Sequence, residues 1–275
     1  MPQPDAQRAI TRDRYDAVLL DLDGVITDTA SIHAACWKQM FDEYLQNRAM
    51  QRGEAFRPFD VAADYRLYVD GKPRFDGVRD FLASRNIHLP EGSLDDPSQA
   101  ETVCGLGNRK NDLVNKIIEE VGVEPYEGSV KFLGQLRSQG FKIAIVTSSQ
   151  NCTAVLRAAK LDHFFDVQVD GNTIHMQHLA GKPAPDTFLM AAKLLGIDQA
   201  RAVVVEDALS GVEAGAAGDF GLVIGVARKG NAEELRHHGA HLVVNDIAEL
   251  VNCQRSTVAW EEQLYDAGLG MHAGS

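Results

Sequence analysis

Apolar positions fall along this chain in two rhythms. Short, mainly apolar runs occur at Ala17–Leu20, Lys142–Val146, 165–169, 202–205, Leu222–Val226 and Leu242–Val244. Each is flanked by polar residues and too short for a helix, so each predicts a strand buried on both faces. Between them, apolar residues recur at helical spacing over 130–137, 152–159, 186–195, 208–217 and 231–237. Strand and helix alternating in this way predict a parallel sheet covered by helices. Only the stretch after the first strand breaks the pattern. Ile32, Cys36, Met40, Phe41, Tyr44 and Leu45 predict one helix, with Thr29 or Ser31 as its cap. From about residue 46 to 123 no buried strand is apparent, and helix-like pieces occupy 61–68, 77–85 and 108–120. This region reads as a helical insertion that Pro125 and Gly128 close with a turn.

Chemistry gathers at the ends of the predicted strands. The first runs directly into Asp21-Leu22-Asp23-Gly24-Val25-Ile26-Thr27-Asp28-Thr29. Open α/β sheets keep their ligand crevices at the carboxyl ends of strands. Gly24 lets the chain turn and lets backbone approach a ligand closely. Two carboxylates so near each other repel, and a divalent cation would relieve the repulsion. Alone, the pair is equally readable as turn chemistry. The other strand ends change that. Thr147 offers a hydroxyl, with backbone N–H groups beside it at Ser148 and Ser149. Lys182 offers a positive charge just before a helix, and Glu206-Asp207 a second acidic pair. Oxygen donors of that kind suit a hard cation such as Mg2+.

Composition narrows the class further. The 275 residues suffice for one large domain, or a medium one with an insertion. A net charge of -12 argues against nucleic acid or an anionic membrane as partner. Cys36, Cys104, Cys152 and Cys253 are scattered without a C-x-x-C pair, as expected of reduced cytosolic thiols. No apolar run approaches the roughly 20 residues that cross a bilayer. The first fourteen residues lack the apolar centre of a signal peptide. The expectation is a cytoplasmic protein, monomer or weak dimer. The stretch from Ser256, with Trp260 and Tyr265, reads as a docked helix or a loose tail.

Taken together, Asp21 to Val25, Thr147 to Ser149, Lys182-Pro183 and Glu206-Asp207 resemble the four motifs of the haloacid dehalogenase superfamily. Within it the chain is most similar to the β-phosphoglucomutase family. The first motif matches through Thr29, and the likeness continues at His33, Trp37-Lys38, Asn151, Lys182 to Asp186 and Glu206 to Ala208. The resemblance implies a Rossmann-like core over residues 1–33 and 124–275, with a helical cap over 34–123. It implies Asp21 as the nucleophile that becomes an aspartyl-phosphate, and Asp23 as general acid and base. Mg2+ would be held by Asp21, the backbone carbonyl of Asp23, Glu206 and Asp207. Thr147 and Lys182 would hold the transferring phosphoryl group. Thr29 and His33 would orient Asp23 as the cap closes; His33 has the alternative of a partly buried polar residue in the first cap helix.

The cap matches less well. Gly71-Lys72-Pro73-Arg74 fits the family's Gly-x-x-Arg, so Arg74, with Lys72, would anchor the distal phosphate of a sugar bisphosphate. The family's lysine before this glycine is Asp70 here, and that of its Ser-Lys-Asn is Gln150. Arg109-Lys110-Asn111-Asp112 either borders the substrate or starts a solvated helix. The cap is also longer, around 89–105. The expected activity is Mg2+-dependent conversion of a β-hexose 1-phosphate to the 6-phosphate. The alternatives are a phosphatase acting on a sugar phosphate or other small phosphomonoester and, more remotely, a non-catalytic sugar-phosphate sensor. A true dehalogenase would need neither Asp23 nor the second acidic pair.

Overall fold

The structure is a computed structural model that describes residues 9–251. The C-terminal stretch with Trp260 and Tyr265, and Cys253, lie outside the described residues. In chain order the elements are β1 Ala17–Leu20, α1 Ala30–Arg52, α2 Arg74–Ser84, α3 Val103–Val121, α4 Glu127–Ser138, β2 Lys142–Val146, α5 Cys152–Ala158, β3 Val167–Val169, α6 Gly171–Met176, α7 Asp186–Leu195, β4 Ala202–Glu206, α8 Leu209–Ala217, β5 Leu222–Val226, α9 Ala232–His237 and β6 Leu242–Val244.

All six strands pair in parallel, in the order β3-β2-β1-β4-β5-β6. Val18 lies level with Ile143 on one side and Val203 on the other. Side chains alternate between the two faces, as strand geometry requires. Val18, Leu20, Ile143, Ile145, Val203 and Val205 pack with Phe132 and Leu136 of α4 and Val155 of α5. Leu19, Ala144, Val146 and Val204 pack with Phe188 of α7 and Val212 of α8. This is the predicted α/β architecture. The strand order reverses at β1, so the crevice between β1 and β4 is where ligands are expected.

Between β1 and α4 the chain builds a third apolar cluster from Trp37, Met40, Phe41, Phe59, Phe81 and Leu106. Phe41 organises it, with ring centroids 5.3 Å from Trp37, 5.2 Å from Phe59 and 4.2 Å from Phe81.

Several element boundaries differ from expectation for local reasons. The helix expected over 61–68 forms only in its second half: the Asp60 carboxylate accepts from the amides of Ala62 (2.7 Å) and Ala63 (2.9 Å) and closes a turn at its start. A π-type turn follows at Tyr65–Val69. Helix α3 starts earlier, at Val103, where the Thr102 hydroxyl accepts from Gly105 N–H. Its glycines are close-approach positions: a Cβ on Gly105 would sit 2.3 Å from Ala100 O, and one on Gly107 2.6 Å from the Phe75 ring. Thr29 occupies the position before α1, yet its side chain makes no capping bond. Its hydroxyl is engaged in the site instead. Helix α6 was not anticipated; Asp170 caps it by accepting from Thr173 N–H at 2.9 Å.

Candidate active site

Asp21 follows β1 directly, its amide bonded to Val205 O of β4 at 3.0 Å. The chain then closes a tight loop, with Ile26 N–H and Thr27 N–H both donating to Leu22 O and Gly24 N–H to Thr27 O (2.8 Å). Gly24 takes φ +92°, and a Cβ there would stand 2.2 Å from Asp207 Oδ2. Only glycine allows this backbone to lie against that carboxylate. Gly24→Ala should therefore strain the loop by about 1–3 kcal/mol and displace Asp207. The expected sign is a Mg2+ midpoint, read by titration calorimetry, raised on the order of tenfold for each 1.4 kcal/mol lost.

Lys182 reaches in from the loop before α7 with its side chain fully buried. Its ammonium donates to Asp21 Oδ1 (2.7 Å), Glu206 Oε1 (2.5 Å) and Val146 O (3.0 Å), so all three protons are used. Burial opposes its charge, but Asp21 and Glu206 outweigh that and hold its pKa above the ordinary lysine range. Glu206 also accepts from Ala208 N–H at 3.1 Å. Asp21, Glu206 and Asp207 present oxygens within 4.8 Å of one another. Burial, offset in part by Lys182, pushes Asp21 well above the usual carboxylate range. Burial likewise pushes Asp207 up to about 8 against the pull of Lys229. Three buried carboxylates share one buried ammonium, with Lys229 half-exposed 3.4 Å from Asp207, so positive charge is in deficit. An all-oxygen donor set with that deficit fits a small divalent cation.

Asp23 is held from the other side. Thr29 donates its hydroxyl to Asp23 Oδ1, and Thr27 Oγ1 lies 2.8 Å from Thr29 Oγ1. Thr147, at the end of β2, lies 3.5 Å from Asp23 Oδ2 and accepts from Ser149 N–H at 3.1 Å. His33 of α1 places Nε2 3.4 Å from Asp23 Oδ1, and Lys110 of α3 lies 2.7 Å from His33 Nδ1. Burial, then Lys110, drives His33 down to about 4, with Asp23 opposing. Burial drives Lys110 down to about 8, again against Asp23. Neutral His33 then accepts from Lys110 at Nδ1 and carries its proton on Nε2, facing Asp23.

That arrangement has a pH signature. The folded-state pKa of His33, about 4, lies below its reference value of 6.5. Between those values the unfolded chain binds the extra proton, so the His33 contribution to stability is full above pH 6.5 and falls as pH drops toward 4. The expected loss is about 3 kcal/mol. In urea titrations at pH 7 and pH 4.5, His33→Asn should lose less stability over that interval than the unmodified protein.

Residues of the helical segment between β1 and α4 meet the strand ends across a cavity of about 750 Å³, lined by Asp21, Asp23, Thr147 and Asp207 on one side and by His33, Arg74 and Lys110 on the other. Ser148 donates to Gly71 O (2.7 Å) and Ser210 to Asp70 O (2.7 Å). A Cβ on Gly181 would meet Pro73 at 2.2 Å. The loop over 70–74 is thus seated directly on the core. Arg74 donates to Gln150 Oε1 (2.5 Å) and Asn108 Oδ1 (2.9 Å), whereas its Nε is buried without a partner. Lys72 lines the cavity too but donates to Asp80 at 2.6 Å. Asn151 faces the cap, donating to Asn111 Oδ1 at 3.1 Å. The Arg109-Lys110 pair divides: Lys110 points to His33, while Arg109 donates to Ser98 O at 2.6 Å.

Sequence reasoning missed Tyr65 and Lys229, which stand beside Asp207, and noted Asp70 only as a departure from the family without its pairing to Lys229. The signal was present: Lys229 lies just past β5, at the same edge of the sheet as the other motifs.

The family model of the haloacid dehalogenase-like hydrolases matches residues 15–219, and this chain belongs to that family. It is 54% identical over 242 residues to a β-phosphoglucomutase of Mycobacterium tuberculosis, covering 87% of this chain and 92% of that protein. A fructose-1-phosphate phosphatase of Escherichia coli is 28% identical over 205 residues, 74% of this chain and 92% of the relative. Among solved structures, a β-phosphoglucomutase from Clostridium difficile shares the fold with a TM-score of 0.65. It is 24% identical, over 93% of this chain and 99% of that one. Among the described residues no helix is long and apolar enough to cross a membrane.

Proposed function

We propose that this enzyme transfers a phosphoryl group on a sugar phosphate, converting a β-hexose 1-phosphate to the hexose 6-phosphate through a bisphosphate. The core, 1–33 and 124–275, carries the chemistry, and the cap, 34–123, selects the sugar. Asp21 attacks phosphorus and becomes an acyl phosphate as the bond to the leaving sugar oxygen breaks. That oxygen takes its proton from Asp23. In the other half-reaction, Asp23 takes the proton of the C6 hydroxyl of a β-hexose 1-phosphate, which attacks the phosphorus on Asp21, forming the bisphosphate and freeing the Asp21 carboxylate. Thr29 fixes the Asp23 carboxyl while it does so, and His33 supports it from the cap side.

Thr147, the amides near Ser148 and Ser149, and Lys182 receive the phosphoryl oxygens. Lys182 exchanges one of its present acceptors for phosphate. Mg2+, held by Asp21, Glu206, Asp207 and the Asp23 carbonyl, would neutralise charge on the transferring group. Arg74, with Lys72 and Asn151, holds the distal phosphate. The observation that carries this reading is the contact of Asp21 with Lys182 at 2.7 Å inside a cap-covered cavity, in a chain 54% identical to a β-phosphoglucomutase over 242 residues. The net charge of -12 supports a small phosphorylated substrate rather than nucleic acid or membrane. On the same reading the enzyme works as a cytoplasmic monomer or weak dimer.

A phosphatase is the second reading. Gln150 and Asn108 already occupy Arg74, and Asp80 occupies Lys72, so a distal phosphate has to displace existing partners. The assay is protein, Mg2+, β-glucose 1-phosphate and a sugar bisphosphate primer. Glucose 6-phosphate is the expected product. Inorganic phosphate alone would establish the phosphatase, and no product would favour a sensor.

A further inference from the structure

Lys229, just past β5, places its ammonium 3.4 Å from Asp207 Oδ2 and 3.8 Å from Asp70 Oδ2. Asp207 ends a core strand, whereas Asp70 sits in the loop that the cap lays on the core. One cation therefore spans both parts. The two anions are fixed: Asp207 is 6% and Asp70 12% exposed, and Tyr65 hydrogen-bonds Asp70 while its ring lies 5.6 Å from the ammonium. The cation is not fixed, since its side chain is 49% exposed. Asp70 is also where the resemblance places a lysine, so the positive charge at this edge has moved from the cap to the core.

We propose that Lys229 is a positioning residue that couples occupancy of the metal site to closure of the cap. This rests on the Mg2+ reading given above. With Asp207 uncompensated, the ammonium is shared between the two carboxylates. A divalent cation at Asp207 cancels that attraction, and Lys229 then bears on Asp70 alone and holds the 70–74 loop more tightly on the core. By reciprocity, closure strengthens metal binding to the same degree.

The test is hydrogen exchange of the 65–74 segment with and without Mg2+, beside Mg2+ titration calorimetry, for the unmodified protein, Lys229→Met and Asp70→Asn. Mg2+ should slow exchange of that segment on the order of tenfold in the unmodified protein, about 1.4 kcal/mol of coupling. In both variants Mg2+ should still bind but leave the segment unchanged, with exchange around Phe81 normal in all three as proof of folding. Equal Mg2+-dependent slowing in the unmodified protein and Lys229→Met would overturn the proposal. So would an unmodified protein that binds Mg2+ without slowing, or one that does not bind Mg2+ at all. No sugar enters either measurement. Loss of the mutase reading with the linkage intact would thus be recognised as a separate failure.

Discussion

Asp21→Asn should abolish turnover, lowering kcat on the order of 10⁴-fold or more, and leave a folded protein. The amide is nearly isosteric with the carboxylate but is no nucleophile toward phosphorus. It also removes one of the mutually repelling negative charges that burial forces together. The folded state should consequently be as stable as that of the unmodified protein, or more so, in the absence of Mg2+. Steady-state kinetics with β-glucose 1-phosphate and a urea titration together check both halves. Near-normal turnover would refute the assignment of the nucleophile.

Lys182→Met should damage stability and activity at once. The ammonium is walled in by the Phe188 ring at 5.0 Å and satisfies three buried oxygens. Removing one partner of a buried ionic cluster costs about 3–5 kcal/mol, because the charges left behind have no water to turn to. Loss of a donor aimed at the phosphoryl group adds a fall in kcat of about 10²–10³. Mg2+ should recover part of the stability, since it matches the same carboxylates, but not the rate. A variant with unchanged urea midpoint in Mg2+-free buffer would contradict the charge balance drawn for this site.

The sheet was legible because its inner strands are buried on both faces, and unbroken Val, Ile and Ala runs have few other readings. The edge strand Val167–Val169 is mostly half-buried and shorter than the 165–169 expected. Lys142–Val146, Leu222–Val226 and Leu242–Val244 have the bounds that pattern implies. The helical segment between β1 and α4 was harder, since its boundaries are set by contacts between residues distant in sequence. Gly105 and Gly107 look like helix breakers until Ala100 and Phe75 are seen pressing against them. Asp60 caps a turn at the start of the stretch that periodicity reads as a helix over 61–68, and only Tyr65–Val69 winds into helix, with π geometry. In the site, Asp21, Lys182, Glu206 and Asp207 could be paired in advance because each lies at the end of a strand or the start of a helix. Lys110 and Arg109 could not be told apart from one another. Helical rotation separates them, sending one to His33 and the other to Ser98. Lys229 lies far from Tyr65 and Asp70 in sequence, and only the packing of the 65–74 segment on the core brings them together.

Acid quenching during turnover, followed by mass spectrometry of the digested protein, tests the covalent step most directly. With Mg2+ and a sugar bisphosphate, a phosphoryl adduct is expected on the peptide that contains Asp21, and none in Asp21→Asn. Steady turnover with no adduct there, or with an adduct on another residue, would contradict the account.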